Sequence, residues 1–339
     1  MADAVFSPKD FKAWIIEETT LGNAYNSGSP NAPAITGSLY QLDVDSVAFP
    51  SISPNQVLNV RTRSGRTLSK NDFFQDNAMK ATEVTLSGVY HKDVGTLMLM
   101  QSVAGQNLDT SYADVVVASS THTGTSGKYG ESGSNKTFTL VLAPPDTSDG
   151  YNTILRGCLV TSFSISADAG TDGGQYKFSA TISTGLQPIT NNTQTPAGTV
   201  FGTSSLAMSN LTTVKVGATD AILNSFNFTL EHPAIYTGFQ TRGYKCFGRG
   251  EEFSATAEAT VKYDSVTRGL YDDFNTQSAA TEGNMLALTQ STATDTSIYL
   301  PDAVFTDVAF NEGDMMMLDV SMKGVNDETG ANLFNIDLA

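Results

Sequence analysis

Residues able to do acid–base or metal chemistry are few and scattered in this chain. Its three histidines are His91, His122 and His232. None has a second His or Cys at metal-ligand spacing, so the chain carries no zinc motif. They read as surface or hydrogen-bonded structural histidines. The two cysteines, Cys158 and Cys246, read as buried free thiols rather than a disulfide. Asp43/Asp45 and Asp272/Asp273 offer paired carboxylates, but neither pair sits in a Gly-punctuated loop closed by a Glu, as calcium sites require. The run Gly124-Thr-Ser-Gly-Lys-Tyr-Gly130 has the composition of a phosphate loop. Its spacing is wrong, and it falls at an expected hairpin tip rather than a strand-to-helix turn. No nucleophile elbow, Walker loop, HExxH or dinucleotide fingerprint occurs. The pattern points away from an enzyme.

What the chain does carry is a repeat. Ser46-Val47-Ala48-Phe49, Pro54, Thr62-Arg63 and Arg66 recur 179 positions later as Ser225-Phe226-Asn227-Phe228, Pro233, Thr241-Arg242 and Lys245. Thr82–Tyr90 then matches Ala255–Tyr263 at a spacing of 173. A short helical segment follows each, Val94–Gln101 and Val266–Asn275. Later blocks pair Thr161, Phe163 and Ile165 with Thr306, Val308 and Phe310, and Phe178, Ala180 and Ile182 with Leu318, Val320 and Met322. Blocks in the same order, separated by gaps in polar loops, indicate an internal duplication.

The composition fits a mainly β chain. Of 339 residues, 40% are hydrophobic and only 16% charged. The charged share is low for a globular chain, and Thr, Ser, Gly and Asn replace it. Short period-2 apolar runs bounded by Gly, Asn, Asp and Pro dominate. The sequence predicts an N-terminal helix from Ser7 to Glu18, with Ser7 as N-cap, Pro8 at the first helical position and Phe11, Trp14 and Ile15 as its stripe. A Gly/Ser/Asn/Pro-rich arm follows to residue 41. The first copy is expected over 42–190, a polar linker over 191–199, and the second copy over 200–339. The first copy also carries a Gly/Ser-rich insertion over 119–135. It reads as the tip of a hairpin between strands 114–118 and 137–142, which the second copy makes briefly from 285–288 to 297–300. Met315-Met316-Met317 reads either as a buried strand or as an apolar lip packing on another subunit.

Formal net charge is −16. Residues 1–197 carry 12 Lys/Arg and 17 Asp/Glu, and the remainder carry 7 and 18. Such a chain lacks the basic surface on which nucleic-acid affinity rests. The N-terminus shows no basic region followed by an apolar run, and no stretch is long and apolar enough for a membrane span.

Two β-rich copies, each with one short helix after an alternating strand and two late strands, resemble the tail tube fold of long-tailed bacteriophages. The resemblance rests on Val84–Tyr90 with Val94–Gln101, on Ala255–Tyr263 with Val266–Asn275, and on the late strands of each copy. It implies two tandem tail-tube-like β-sandwich or half-barrel domains, each with one short α-helix, behind an N-terminal helix and arm. It also implies a structural virion protein, not an enzyme and without a cofactor. Three such chains would form a pseudo-sixfold ring, and rings would stack into a tube through which double-stranded DNA passes without specific binding. The expected partners are the chain itself and the tape measure, tail terminator and distal tail proteins, with no membrane. The expected location is the virion tail, assembled in the bacterial cytoplasm.

The candidate lumen-facing residues are Glu83, Thr85 and Ser87 with Lys177, Ser179 and Thr181, and in the second copy Glu258, Thr260 and Lys262 with Asp319, Ser321 and Lys323. The loops 61–80 and 241–252 match the family's stacking loop by position. That makes Arg61, Arg63, Arg66, Arg242 and Lys245 the candidate inter-ring contacts. The alternative is another virion or cell-surface β-sandwich, such as an adhesin or a carbohydrate-binding module.

Overall fold

The structure is a computed structural model. It describes residues 6–20, 23–24, 36–50, 55–58, 73–76, 82–106, 108, 115–118, 137–145, 152–192, 194–202, 206–240, 243–249, 253–275, 285–290, 296–313, 315–325 and 332–338.

In chain order the strands of the first half are β1 (Lys12–Thr20), β2 (Asn23–Ala24), β3 (Thr36–Leu42), β4 (Val44–Ala48), β5 (Asn55–Leu58), β6 (Phe73–Asp76), β7 (Thr82–Val89), β8 (Val115–Ala118), β9 (Phe138–Ala143), β10 (Asn152–Asp168), β11 (Lys177–Thr184), β12 (Ile189–Asn192) and β13 (Ala197–Thr199). Helix α1 (Val94–Ala104) lies between β7 and β8. The second half has β14 (Leu211–Val216), β15 (Thr219–Asp220), β16 (Leu223–Glu231), β17 (Ala234–Gln240), β18 (Gly243–Arg249), β19 (Ser254–Lys262), α2 (Arg268–Asn275), β20 (Leu286–Gln290), β21 (Ser297–Leu300), β22 (Ala303–Glu312), β23 (Met316–Gly324) and β24 (Asn332–Asp337). The chain is mainly β.

A continuous antiparallel ribbon of eight strands, in the order β4-β7-β11-β10-β16-β19-β23-β22, organises the molecule. Its first four strands and its last four are paired alike. In β4·β7, Val44 faces Gly88, then the register slips and Ser46 faces Ser87. In β16·β19, Leu223 faces Val261, then the register slips and Ser225 faces Thr260. In β10·β11 the slip lies between Val160 and Ser162, and in β22·β23 between Phe305 and Asp307. Leu86 faces Ala180, and Ala259 faces Val320. Each strand of the second set thus stands at one constant spacing from its counterpart, bulges included. A bulge fixes register because a one-residue shift turns every side chain to the wrong face.

A second layer covers the apolar face of this ribbon. On the first half it is β3-β1-β9 and the N-terminal part of β10, flanked by β12 and β13. On the second half it is β15-β14-β20-β21-β24, joined by β8. β10 crosses between layers at Gly157, whose φ of 61° favours glycine. Glu18 stabilises that corner. Its buried carboxylate accepts from Gly157 N (2.8 Å), Thr137 Oγ1 (2.9 Å) and Thr139 Oγ1 (2.7 Å). A buried carboxylate without such donors would be costly. The second half makes the corner with a break between Leu300 and Ala303.

The N-terminal helix is corrected to a strand. Ser7 caps as expected, with its Oγ accepting from Lys9 N and its N–H donating to Asp10 Oδ2 (2.7 Å). However, the helix is one 3-10 turn, Pro8–Asp10, and Phe11 is already extended. Beyond it both faces of β1 are buried: Ala13 and Ile15 in the main core, Trp14 and Ile16 in a smaller cluster. A run apolar on every face belongs to a strand packed on both sides, and that packing outweighs the helical spacing of three residues. The expected hairpin between 114–118 and 137–142 is also corrected. β8 pairs with the C-terminal β24, and β9 lies between β1 and β10. Residues 119–135 lie outside the described residues. The connection from β20 to β21 is the short hairpin expected. Within 191–199, Asn192 pairs with Asn152 and β13 runs parallel to β3.

One core cluster runs through both halves. Helix α1 sits inside it, buried along nearly its whole length, whereas α2 buries Leu270 and exposes Tyr271. The two helices share a cap. Thr96 N donates to Asp93 Oδ1 (2.8 Å) and Thr96 Oγ1 to the His91 carbonyl (2.5 Å). Thr267 N donates to Asp264 Oδ1 (3.1 Å) and Thr267 Oγ1 to the Lys262 carbonyl (2.7 Å).

The surroundings of the two caps differ. Burial holds the Asp93 carboxyl above its ordinary range, and the Thr96 donors only partly offset this. The backbone N–H groups of Thr267 and Val266 hold Asp264 below it. Asp264 therefore contributes stability above its ordinary pKa that is lost as pH falls through its lowered value; ionising Asp93 costs stability as pH rises through its raised one. Asp264→Asn should be less stable than wild type at pH 7, by a margin that narrows at pH 3. Asp93→Asn, which keeps the acceptor without the charge, should gain at pH 7 and lose that gain at pH 3. Urea denaturation at the two pH values measures both.

Candidate functional site: a polar sheet face with two open edges

Alternation along the eight strands gives the ribbon one apolar and one polar face. Phe163, Ile165, Phe178, Phe226, Phe228 and Val320 are among those facing the core. All twelve candidate lumen residues lie on the other face. Glu83, Thr85, Glu258 and Lys262 are exposed, and Ser87, Lys177, Ser179, Thr181, Thr260, Asp319, Ser321 and Lys323 are half-buried.

Cross-strand rows join them. Ser46, Ser87, Ser179, Ser164, Thr229, Thr256 and Lys323 form one unbroken row across seven strands. A second runs Lys177, Ser166, Asn227, Glu258, Ser321 and Asp307. Short polar side chains on this face satisfy one another: Ser46 Oγ with Ser87 Oγ (2.8 Å), Thr260 Oγ1 to Asp319 Oδ1 (2.7 Å) and Asn311 Nδ2 to Asp319 Oδ2 (3.0 Å). Lys177 pairs with Asp172, whose carboxylate holds the ammonium above its ordinary range. On the described part of this face, Glu83, Asp168, Glu231, Glu258, Asp307 and Asp319 outnumber Lys177, Lys262 and Lys323.

Sequence reasoning missed the middle of this face. Ser162, Ser164, Ser166, Asn227, Thr229 and Glu231 belong to it because β10 pairs with β16, with Ile165 opposite Phe228 and Ser164 opposite Thr229. The alternation around Phe163 and Ile165 carried the signal, but the pairing between halves did not show in it. Three contacts reinforce this junction. Tyr90 Oη meets Thr296 Oγ1 (3.0 Å), Gln290 Nε2 donates to Tyr176 Oη (2.8 Å), and Arg249 donates to the carbonyls of Val160 and His232 (both 2.7 Å).

The ribbon ends in two edges without a further strand among the described residues, β4 and β22. Both are exposed: Ser46 and Ala48 on one, Thr306, Asp307 and Asn311 on the other. A half-exposed phenylalanine stands at each edge, Phe49 (38%) just past β4 and Phe310 (39%) on β22. Beside Phe310 lie Tyr263 and Tyr271, with ring centroids at 5.3 and 4.7 Å. Met315 and Met316 add to this patch, exposed by 63% and 50%. The methionine run is an apolar lip rather than a buried strand.

Arg61, Arg63, Arg66 and Arg242 lie outside the described residues. Lys245 is on β18, and nothing is described of its side chain. The strands flanking these positions form two-stranded ribbons, β5·β6 and β17·β18. The second docks on the first half, where Tyr236, Tyr244 and Phe247 surround Leu159 and Leu186. Gly243, at φ 136°, approaches the Gly185 carbonyl so closely that a Cβ would stand 2.2 Å from it.

His91 and His232 are buried and bonded, His91 Nε2 to Asp43 Oδ2 (2.8 Å) and His232 Nδ1 to the Val103 carbonyl (3.0 Å). Cys158 is buried, but Cys246 is exposed, correcting the expectation for that thiol. Among the described residues no cluster of His, Cys, Asp and Glu is placed to hold a metal, and no helix is long and apolar enough to cross a membrane. No protein-family model matches the chain, and no curated protein matches it either.

Proposed function

We propose that this chain is the structural subunit of a phage-type tail tube, a duplicated tube domain that closes into a pseudo-sixfold ring of three chains. One observation carries the reading: the two four-stranded sets, paired alike, join edge to edge within the chain. β10 at the edge of the first four-stranded set pairs with β16 at the edge of the second. Their counterparts by register, β22 and β4, are the two open edges. A sheet edge offers unpaired N–H and C=O groups, which closure into a ring satisfies. Copying the internal register places Phe310 opposite Phe49 of the next chain, as Ile165 stands opposite Phe228. The half-exposed aromatics at the two ends would then cover each other. Closing three ribbons makes a barrel of ~24 strands, wide enough for an open channel rather than a filled core.

The polar face would line the bore. Hydroxyls and amides alternate there with charges of mixed sign, acidic in balance. Such a lining repels the phosphates of double-stranded DNA and offers no basic track to hold it. Rings would stack through the loops 61–80 and 241–252 on either side of the bore, with the five basic residues named above as contacts. The tape measure, terminator and distal tail proteins would meet the tube at its ends within the virion. The single Trp, Trp14, is buried in the second layer rather than displayed, which counts against a carbohydrate-binding module.

Purified protein, concentrated, should form tubes of one diameter with a stain-filled bore by electron microscopy; a protein monomeric at every concentration would exclude this function. The bore also gives a charge test. Wild-type tubes should not retain double-stranded DNA at 50 mM salt. Tubes of the Glu83→Lys/Glu258→Lys variant should retain it, and release it by about 200 mM as counterions compete. Equal retention by both would show that the polar face does not meet DNA.

A further inference from the structure

The apolar lip at Met315 and Met316 has a counterpart in the first half, and there it is covered. Tyr176 immediately precedes β11 as Met316 opens β23, and the two backbones do the same thing. The Tyr176 carbonyl accepts from Tyr90 N (2.9 Å), and the Met316 carbonyl accepts from Tyr263 N (3.2 Å). Tyr176 is fully buried, whereas Met316 is 50% exposed. The cover over Tyr176 is the segment that enters the second half. Tyr176 N donates to the Leu206 carbonyl (2.8 Å), and Gln175 forms an antiparallel bridge with Ala207. Leu206 is buried, and Met208 packs on Gly174. A single 3-10 turn, Met208–Asn210, then leads into β14.

The N-terminus is built the same way. Phe6 and Ser7 precede a single 3-10 turn, Pro8–Asp10, which leads through Phe11 into β1. Ser7 and Ala207 are both extended, at φ −83°, ψ 149° and φ −140°, ψ 156°, and Phe11 and Leu211 are both extended after the turn. Phe6 is only half-buried, in edge contact with Phe11 (6.2 Å), which in turn meets Phe49 (4.7 Å). The turn packs on β4, the edge opposite the lip. Eight strands at about 4.8 Å spacing separate these edges by roughly 30 Å, so Phe6 does not reach the lip of its own chain.

We infer that the segment Phe6–Phe11 of one chain clips onto the Met315–Met316 lip of its neighbour. This rests on the ring reading above and adds the contact that seals each junction. Ser7 would stand opposite Met315 as Ala207 stands opposite Gln175, held by a single backbone bond because Pro8, in the place of Met208, has no N–H to donate. The Phe6 carbonyl would accept from Met316 N, and the Phe6 ring would cover Met316, Phe310 and Tyr271. The ladder β22·β4 and the clip would then hold two different elements of the same pair of subunits, as β10·β16 and Leu206–Asn210 do within one chain.

Disulfide trapping tests it in the full chain with Cys246→Ser removing the exposed thiol. Ser7→Cys with Met315→Cys, oxidised after assembly, should give covalent dimers and a limiting trimer on a non-reducing gel. Oxidation of the dilute monomer should not. The control pair Gln175→Cys with Ala207→Cys should close within one chain and leave its mass unchanged on the gel. Separately, Phe6→Asp should raise the concentration needed for tubes by at least ~tenfold, the loss expected for a buried phenyl ring, with unchanged thermal unfolding of the monomer. Tubes that assemble with positions 7 and 315 of the Ser7→Cys/Met315→Cys variant unjoined and with Phe6→Asp neutral would overturn the clip and leave the ring standing. A wild-type protein that never leaves the monomer would overturn both.

Discussion

Phe310→Asp should leave the monomer folded and abolish tubes. Phe310 is 39% exposed at an open edge, so the isolated chain loses little when it changes. In the ring its ring would lie against Phe49 of the next chain. Removing that burial costs about 2 kcal/mol per junction, or roughly 30-fold in association, and the introduced carboxylate is desolvated without a partner. A closed ring repeats the loss at each junction. Circular dichroism and thermal unfolding should match wild type, while electron microscopy shows no tubes at concentrations where wild type is fully assembled. Tubes formed normally by this variant would place β22 away from the contact.

The second large effect separates two positions that the register makes equivalent. Phe228 is 1% exposed, faces Ile165 across β10·β16 and packs near Phe334 with ring centroids 6.1 Å apart. Phe228→Ala removes a buried ring from the junction inside the chain and should cost the monomer about 3–5 kcal/mol by urea denaturation. Phe49, its counterpart just past β4, is 38% exposed. Phe49→Ala should change monomer stability by less than about 1 kcal/mol and should instead weaken assembly. The same substitution at matching positions thus reads out in folding at one and in association at the other. An equal effect of both on the monomer would mean that β4 is not a docking edge.

Much of the ribbon was legible because its signals are local. Strict alternation in Thr82–Tyr90 and Ala255–Tyr263 marks strands with one buried face, and Asp93 and Asp264 mark helix starts by their capping chemistry. The spacings of 179 and 173 that align the sequence blocks also align β4 with β16 and β7 with β19. Features decided by distant partners were not legible. Phe11, Trp14 and Ile15 stand at helical spacing, yet Ala13–Ile16 lies in a strand because β3 and β9 flank it and two clusters bury both its faces. Residues 114–118 read as half of a local hairpin, but β8 there pairs with the C-terminal β24. The pairing of β10 with β16, on which the proposed assembly rests, joins strands whose individual patterns do not say which edge meets which. The Met315 lip was undecided because alternation fixes which way a side chain points, not whether anything covers it.

The most direct measurement is a transverse reconstruction of assembled protein by electron microscopy. Three chains per ring should show strong sixfold and weaker threefold rotational power around an open bore, with β22 of each chain laddered to β4 of the next and Phe310 opposite Phe49. Six chains per ring, a filled centre, or an edge-free contact between chains would contradict it.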